Sequence, residues 1–336
     1  MSGENLIEVS NTGPPEHAGN GRRTEGGSSG SSTDRALAKF LALAKVSVYI
    51  CICFAPTFLI NTPPFREPFA FAYRHLPLEL YGVLISGCEL TIALTALFLF
   101  SRFIDKRPFL SYGLGSRTAF DTIREFGSGT GVAALMVSIV MLILYLAGCY
   151  RVFSVQVNSQ LVTFLPFFFV AALREEVMFR GYVMQTLEKN WGTLAAILLS
   201  SAMFGFLHLM NFEENVSLAA KLYSCCCLSI DAGLVFAVAY LATRRLWFPF
   251  GLHFAWNVFE GPIYGTPVSS LDLGKPLFLS QLSGPFYLTG GIFGPEASLV
   301  EVAVCLLLAC ILWTRYRAAP MAESIVAEAI PGGPAT

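Results

Sequence analysis

Charge is scarce in this chain. Only 13% of its 336 residues are Asp, Glu, Lys or Arg, against 54% hydrophobic, where soluble domains carry about 25% charged residues. That excludes an ordinary soluble domain and points to a polytopic membrane protein. No basic stripe suggests nucleic acid, and the net charge of −1 names no partner. The first residues lack the apolar core and small-residue cleavage site of a signal peptide, so the first span is expected to persist. The nine cysteines include no Cys-x-x-Cys pair and sit in or beside apolar stretches, which reads as small hydrophobes. The triplet Cys225, Cys226 and Cys227 points three ways around a helix and makes a poor metal site. No His-Glu-x-x-His pair and no internal repeat stands out, and histidine occurs four times in all.

What is present is a series of apolar runs. Residues 1–35 are rich in Gly, Ser and Thr and read as a disordered cytoplasmic tail, and residues 319–336 as a flexible C-terminal tail. Between them, 36–318 form the expected transmembrane domain, an all-α helical bundle of about eight transmembrane helices with a core at 160–260. At about 20 apolar residues per crossing, the spans fall near 38–60, 80–103, 130–149, 161–187, 191–210, 216–242, 246–260 and 298–314. With both termini cytoplasmic, fourteen Lys and Arg lie on the cytoplasmic side and five opposite, while Lys45, Arg174 and Arg180 lie within spans. That asymmetry supports an even number of crossings.

Three polar patterns interrupt these runs: Glu175-Glu176-x-x-x-Arg180, Phe204-x-x-x-His208 and His253-x-x-x-Asn257. Ionisable groups inside a membrane are costly and usually functional. Glu176 and Arg180 are four apart, in the favoured acid-first order for a helical ion pair. Glu175 is turned about 100° away from Glu176, so one carboxylate can be tied up while its neighbour faces a cavity. Phe204 lies one turn before His208 and reads as packing. His253 and Asn257 project together, and Gly251 thins the helix just before them. A purely structural reading is a charge cluster of Arg174, Glu175, Glu176 and Arg180 that locks helices together.

Elsewhere, Glu89 and Asp231 stand alone in their spans, Asp231 suiting a helix-to-helix hydrogen bond, and Glu301 reads as interfacial. The Gly- and Pro-rich segment 261–297 is expected to be an extracytoplasmic or partly re-entrant loop. Within it, the stretch from Gly290 to Pro295 superficially resembles a Gly-x-Phe-x-Pro anion-channel signature, which one short motif in so small a chain does not support.

The three polar patterns, in this order and across about residues 160–260, resemble the CPBP family of intramembrane proteases, related to type II CAAX prenyl endopeptidases and bacteriocin-processing enzymes. The resemblance implies an intramembrane endopeptidase acting on membrane-associated proteins or peptides, multi-pass in the cell (inner) membrane. A prenylated substrate would require a host that prenylates proteins. By the same resemblance, Glu175 is the general base that activates water and His208 shares that water. His253 and Asn257 then stabilise the oxyanion, while Glu176 and Arg180 hold the site in shape.

Metal use stays open at this level. Glu175, His208 and His253 could offer three ligands to a divalent ion such as zinc, with a fourth position left for water. The missing His-Glu-x-x-His pair inclines the reading to a metal-free glutamate mechanism. The competing classes are a non-catalytic membrane scaffold or immunity protein and an ion-coupled transporter. One expectation conflicts with convergence. On straight helices Glu175, His253 and His208 would lie ~18, ~9 and ~25 Å from the cytoplasmic side, so a shared site needs tilted, broken or staggered helices.

Overall fold

The computed structural model describes residues 32–60, 62–158, 160–272 and 274–318. Most of the expected N-terminal tail (1–31) and the whole C-terminal tail (319–336) lie outside the described residues. Residues 32–35, read from sequence as tail, are instead the first turn of a helix, with Asp34 near its N-terminus where the dipole favours an acid.

In a bilayer the backbone must satisfy its own hydrogen bonds, and helices do this within one segment. The apolar runs accordingly become α1 (Ser32–Leu59), α2 (Arg66–His75), α3 (Leu78–Leu99) and α4 (Ala119–Leu146). After strand β1 (Tyr150–Val155) come the short α5 (Gln160–Thr163), then α6 (Leu165–Glu176), α7 (Met184–Trp191) and α8 (Thr193–Leu207). Next are α9 (Leu218–Leu228), α10 (Leu234–Thr243) and α11 (Trp247–Val258). Strand β2 (Phe278–Leu282), α12 (Phe286–Thr289) and α13 (Leu299–Ala318) complete the order. Helix α4 starts at Ala119, earlier than the apolar run alone suggests, because Thr118 Oγ1 caps it by accepting from Asp121 N at 3.0 Å; such a cap is worth about 1 kcal/mol.

Among the described residues, six helical runs are long and apolar enough to cross a membrane: Ser32–Leu59, Leu78–Ile104, Ala119–Leu146, Thr193–Asn211, Leu218–Thr243 and Leu299–Arg317. The protein is a multi-pass membrane protein. The two other runs read as spans differ for visible reasons. The run through α6 and α7 carries Arg174, Glu175, Glu176 and Arg180, and α11 has only 12 residues. Of the two, α11 is buried along most of its length, and α6 is buried at Phe168, Ala172 and Glu176.

Small residues let these inner helices approach. A Cβ placed on Gly251 of α11 would strike the backbone oxygen of Phe126 in α4, and one on Gly129 of α4 would strike that of Phe248. Gly233 meets Ser201 of α8 in the same way, with a Cβ only 3.0 Å from the Ser201 backbone. Among the described residues, π-helical turns widen the helices at Phe100–Ile104, Val177–Val183, Ser229–Gly233 and Phe259–Ile263. Such turns occur often at functional sites, and here the last three carry Arg180, Asp231 and Glu260.

The all-helical expectation needs one amendment. β1 and β2 pair antiparallel, Tyr150 opposite Leu282 and Val155 opposite Phe278, with an irregularity between Val152 and Ser154. The β-branched and aromatic residues of β1 suit a strand. The segment after α11 is therefore a folded insert rather than an open loop. Tyr150 Oη donates to the Tyr264 carbonyl at 2.6 Å, and Phe293 is fully buried, stacked on Phe212 at 5.0 Å.

Candidate active site

The three polar patterns meet. Glu175, Phe204, His208, His253 and Asn257 line one cavity of about 450 Å³ between α3, α6, α8, α11 and the insert that follows α11. The depth conflict is resolved by broken helices. The helix bearing Glu175 widens into a π turn right after Glu176, and α8 ends at Leu207, which puts His208 in a 3-10 turn.

Each pattern has a local reason. A helix leaves its last carbonyls without intrahelical partners. At the end of α8, His208 Nδ1 donates to the Phe204 carbonyl at 2.8 Å, which fixes the ring and leaves Nε2 for the cavity. Phe204 thus contributes its backbone as well as its ring. The ring packs edge-on to Phe179 at 5.2 Å and lies 4.7 Å from the Arg180 guanidinium.

Glu176 and Arg180 form the ion pair their spacing implied. Glu176 Oε1 accepts from Arg180 Nη1 at 2.9 Å, with both side chains buried. Arg180 Nη2 also donates to the carbonyls of Ala232 and Gly233, at 3.3 and 3.1 Å, where the π turn before α10 ends. The guanidinium lies 5.1 Å from the Phe236 ring centre. A desolvated cation–π contact of this kind contributes about 2 kcal/mol.

His253 joins the two halves. Its Nδ1 donates to Glu176 Oε1 at 2.9 Å, its ring stacks on Phe236 at 4.6 Å, and its Nε2 stands 3.8 Å from Glu175 Oε2. Asn257, one turn on, lines the cavity and makes no side-chain hydrogen bond to a described residue. Glu175 Oε1 accepts from Arg174 Nη2 at 2.5 Å, which leaves Oε2 on the His253 side.

Several contributors were not legible as such. Glu89, read as alone in its span, is paired with Arg174 and also accepts from Thr57 Oγ1 at 2.6 Å. Arg174 therefore sits between two carboxylates, one on α3 and one on α6. The available signal was Glu89 itself, an intramembrane acid with no local partner. Glu301, read as interfacial, is fully buried, as are Asp231 and Glu260. Asp231 Oδ1 accepts from the adjacent Ala232 N at 2.5 Å, a local bond in place of the helix-to-helix bond expected. The start of α13, with Glu301, is packed by the end of the folded insert as well as by α4 and α10.

That insert also supplies a cavity wall. Ser269 and Ser270 both have positive φ, 47° and 74°, between Val268 and Leu271, which pair with each other. Such a tight turn favours Asn-Gly, and a non-glycine residue held there costs about 1–3 kcal/mol. Glu296 Oε2 accepts from Ser269 N and Ser269 Oγ, each at 2.7 Å. Burial pushes the Glu296 carboxyl up to about 7, against the lowering effect of the Ser269 bonds and of nearby His253.

The donor set can be tested against a metal. Glu175 Oε1 is engaged by Arg174, and the Nδ1 atoms of His208 and His253 are engaged by Phe204 and Glu176. No group of three His, Cys, Asp or Glu among the described residues is arranged to hold a metal ion. Glu175 Oε2 and the Nε2 atoms of His208 and His253 stay unengaged in the shared cavity, but the three residues are not gathered into a three-ligand cage. The nine cysteines are unpaired: Cys53, Cys149, Cys225, Cys227 and Cys305 are buried, and the other four exposed.

Acid, imidazole and amide groups thus surround one partly open cavity in a multi-pass helical protein. Residues 157–259 match the family described as Type II CAAX prenyl endopeptidase Rce1-like. This stretch of the chain belongs to that family, the CPBP proteases. The family is one of peptidases, whose substrates are proteins or peptides. Comparison with curated proteins and with solved structures gives no match.

Proposed function

We propose that the protein is an intramembrane endopeptidase that hydrolyses peptide bonds of membrane-associated proteins or peptides through water activated by Glu175. The observation that carries this reading is the single cavity shared by Glu175, His208, His253 and Asn257, within the region that matches the protease family.

In this mechanism water lies between Glu175 Oε2 and His208 Nε2. Glu175 takes one of its protons as the oxygen attacks the scissile carbonyl, a role that a positioned carboxylate performs in general base catalysis. The carbonyl oxygen gains negative charge and is met by the Asn257 amide and by His253 in its imidazolium form, whose Nδ1–H stays on Glu176 and whose Nε2–H faces the cavity. Preorganised donors in a water-poor site each contribute about 2.7–4 kcal/mol to such a transition state. As the tetrahedral intermediate collapses, Glu175 returns the proton to the leaving nitrogen. No covalent enzyme intermediate forms. Glu176 and Arg180 act by holding His253 in this orientation, and Phe204 by holding His208.

The transmembrane domain, 36–318 with its catalytic core at 160–260, crosses the cell (inner) membrane eight times with both termini in the cytoplasm. Support comes from the asymmetry of Lys and Arg and from six long apolar helices among the described residues, with the run through α6 and α7 and the run of α11 as the remaining two crossings. The test is a comparison of membrane peptidomes between cells carrying wild-type and Glu175→Gln protein. Peptides that appear only with wild type are expected. Identical sets would sink the reading.

A further inference from the structure

The groups assigned to chemistry come from residues 175–257, yet one wall of the cavity, beside that of α3, comes from residues 268–271 and 296, outside the matched family region. Three observations make that wall a constructed feature. The first is the backbone. Ser269 and Ser270 sit consecutively at positive φ, the geometry of a two-residue hairpin turn, with neither the Asn nor the Gly that usually occupies it. The turn therefore needs outside support.

The second is the supply of that support. Glu296 Oε2 accepts from both the backbone N–H and the hydroxyl of Ser269, at 2.7 Å each. Two bonds to one carboxylate oxygen are charge-assisted and directional. Asn211 Nδ2 donates to the Ser269 carbonyl at 3.3 Å and Ser270 N to the Phe293 carbonyl at 3.1 Å, so each end of the turn is also tied.

The third is how Glu296 reaches this position. Gly290, Gly291 and Gly294 have φ of 70°, 60° and 104°. A Cβ on Gly290 would strike the Gly294 oxygen, and one on Gly294 would strike the Pro267 oxygen. The glycine-rich run that superficially matched a channel signature is thus the fold that brings Glu296 against the turn. Oε2 holds Ser269, and Glu296 itself lines the cavity.

We propose that Glu296 is a substrate-positioning residue: it latches the Ser269–Ser270 turn as the rigid polar wall against which a peptide is aligned for attack. This rests on the proteolytic reading above and adds a residue from outside the matched region. The role is exerted through the turn, so loss of the latch acts on peptide binding and alignment more than on the chemical step, and restoring the turn by another route restores function.

The experiment uses the full-length protein in detergent and the quenched fluorescent peptide that wild type cleaves best from a mixed-sequence set. Glu296→Ala is expected to raise KM by about tenfold, with the smaller part of the loss in kcat, and to speed hydrogen exchange at the Ser269 and Ser270 amides. Ser269→Asn with Ser270→Gly, placed in the Glu296→Ala background, introduces the preferred turn pair. It is expected to recover most of the KM and the exchange protection. Thermal melting of each variant identifies any that fail to fold, and Glu296→Gln, which keeps an acceptor oxygen, is expected to fall between wild type and Glu296→Ala. Cleavage that depends on Glu175 but keeps an unchanged KM in Glu296→Ala overturns the latch alone. So does a collapse of kcat that the Asn-Gly turn does not rescue. Cleavage indifferent to Glu175→Gln overturns the proteolytic reading and this role with it.

Discussion

Glu176 Oε1 accepts from two donors at once, His253 Nδ1 and Arg180 Nη1, each at 2.9 Å. The first and third sequence patterns are therefore one unit, although 77 residues separate Glu176 from His253. The shared oxygen fixes which imidazole nitrogen is left for the cavity, a detail that decides how a histidine can act.

Removing that oxygen's charge should harm the fold as well as the site. Glu176→Gln leaves Arg180 buried without its counter-charge, and breaking one partner of a buried pair costs about 3–5 kcal/mol. The expected result is a clear drop in melting temperature in detergent together with loss of cleavage. A variant as stable as wild type would contradict the pairing.

Glu175→Gln makes the opposite prediction. The amide keeps the size of the side chain and removes the base, so cleavage should fall by about 10²–10⁴-fold with little change in thermal stability. Turnover of an isolated peptide measures the first, and a melt of the same sample the second.

Arg174 lies between Glu89 and Glu175 and should show coupling. Arg174→Gln leaves two carboxylates facing each other, whereas adding Glu89→Gln removes one of them. The double variant should be less damaged than the sum of the single ones, with a coupling of about 0.5–3 kcal/mol. Additive losses in a full mutant cycle would mean that the contact carries no weight.

Gly251 is where α11 meets α4, two residues before His253. Gly251→Ala would force these backbones apart, at a cost of about 1–3 kcal/mol, and would move His253 and Asn257 with the helix. Activity should fall further than stability does. Gly127, beside which a Cβ would meet nothing within 4 Å, is the control, and Gly127→Ala should leave packing undisturbed.

The donor geometry also predicts the response to chelators. Among the described residues Glu175, His208 and His253 are not gathered into a three-ligand cage and the proposed base is a carboxylate alone, so dialysis against a strong chelator should leave cleavage intact. Zinc bound in stoichiometric amount and rising with activity would reverse this conclusion.

Much of the site could be read before the fold was known, for a physical reason. His253 with Asn257 and Glu176 with Arg180 are spaced by one helical turn, and local spacing survives any packing of the helices. Phe204 and His208 share that spacing, but the bond between backbone carbonyl and ring depends on α8 ending at Leu207, which hydrophobicity alone does not mark. Glu89 and Glu296 were opaque because their partners lie 85 and 27 residues away in sequence. Glu301 was misplaced because an acid at the start of an apolar run ordinarily meets water, and here the end of the folded insert, α4 and α10 pack there instead. Span counting blurred at the two runs where the polar groups concentrate.

The π turn at Val177–Val183 has a consequence for how this sequence can change. A π turn accommodates a residue more than the α-helix that would replace it. Deleting one residue there would give a more regular helix by every local measure. A deletion between Glu176 and Arg180 would also turn Arg180 by about 100° relative to Glu176, straining the ion pair between them. Alleles with single-residue deletions in this stretch should therefore yield proteins that fold and insert but do nothing, and length variation between Glu175 and Arg180 should be selected against more strictly than any substitution within it.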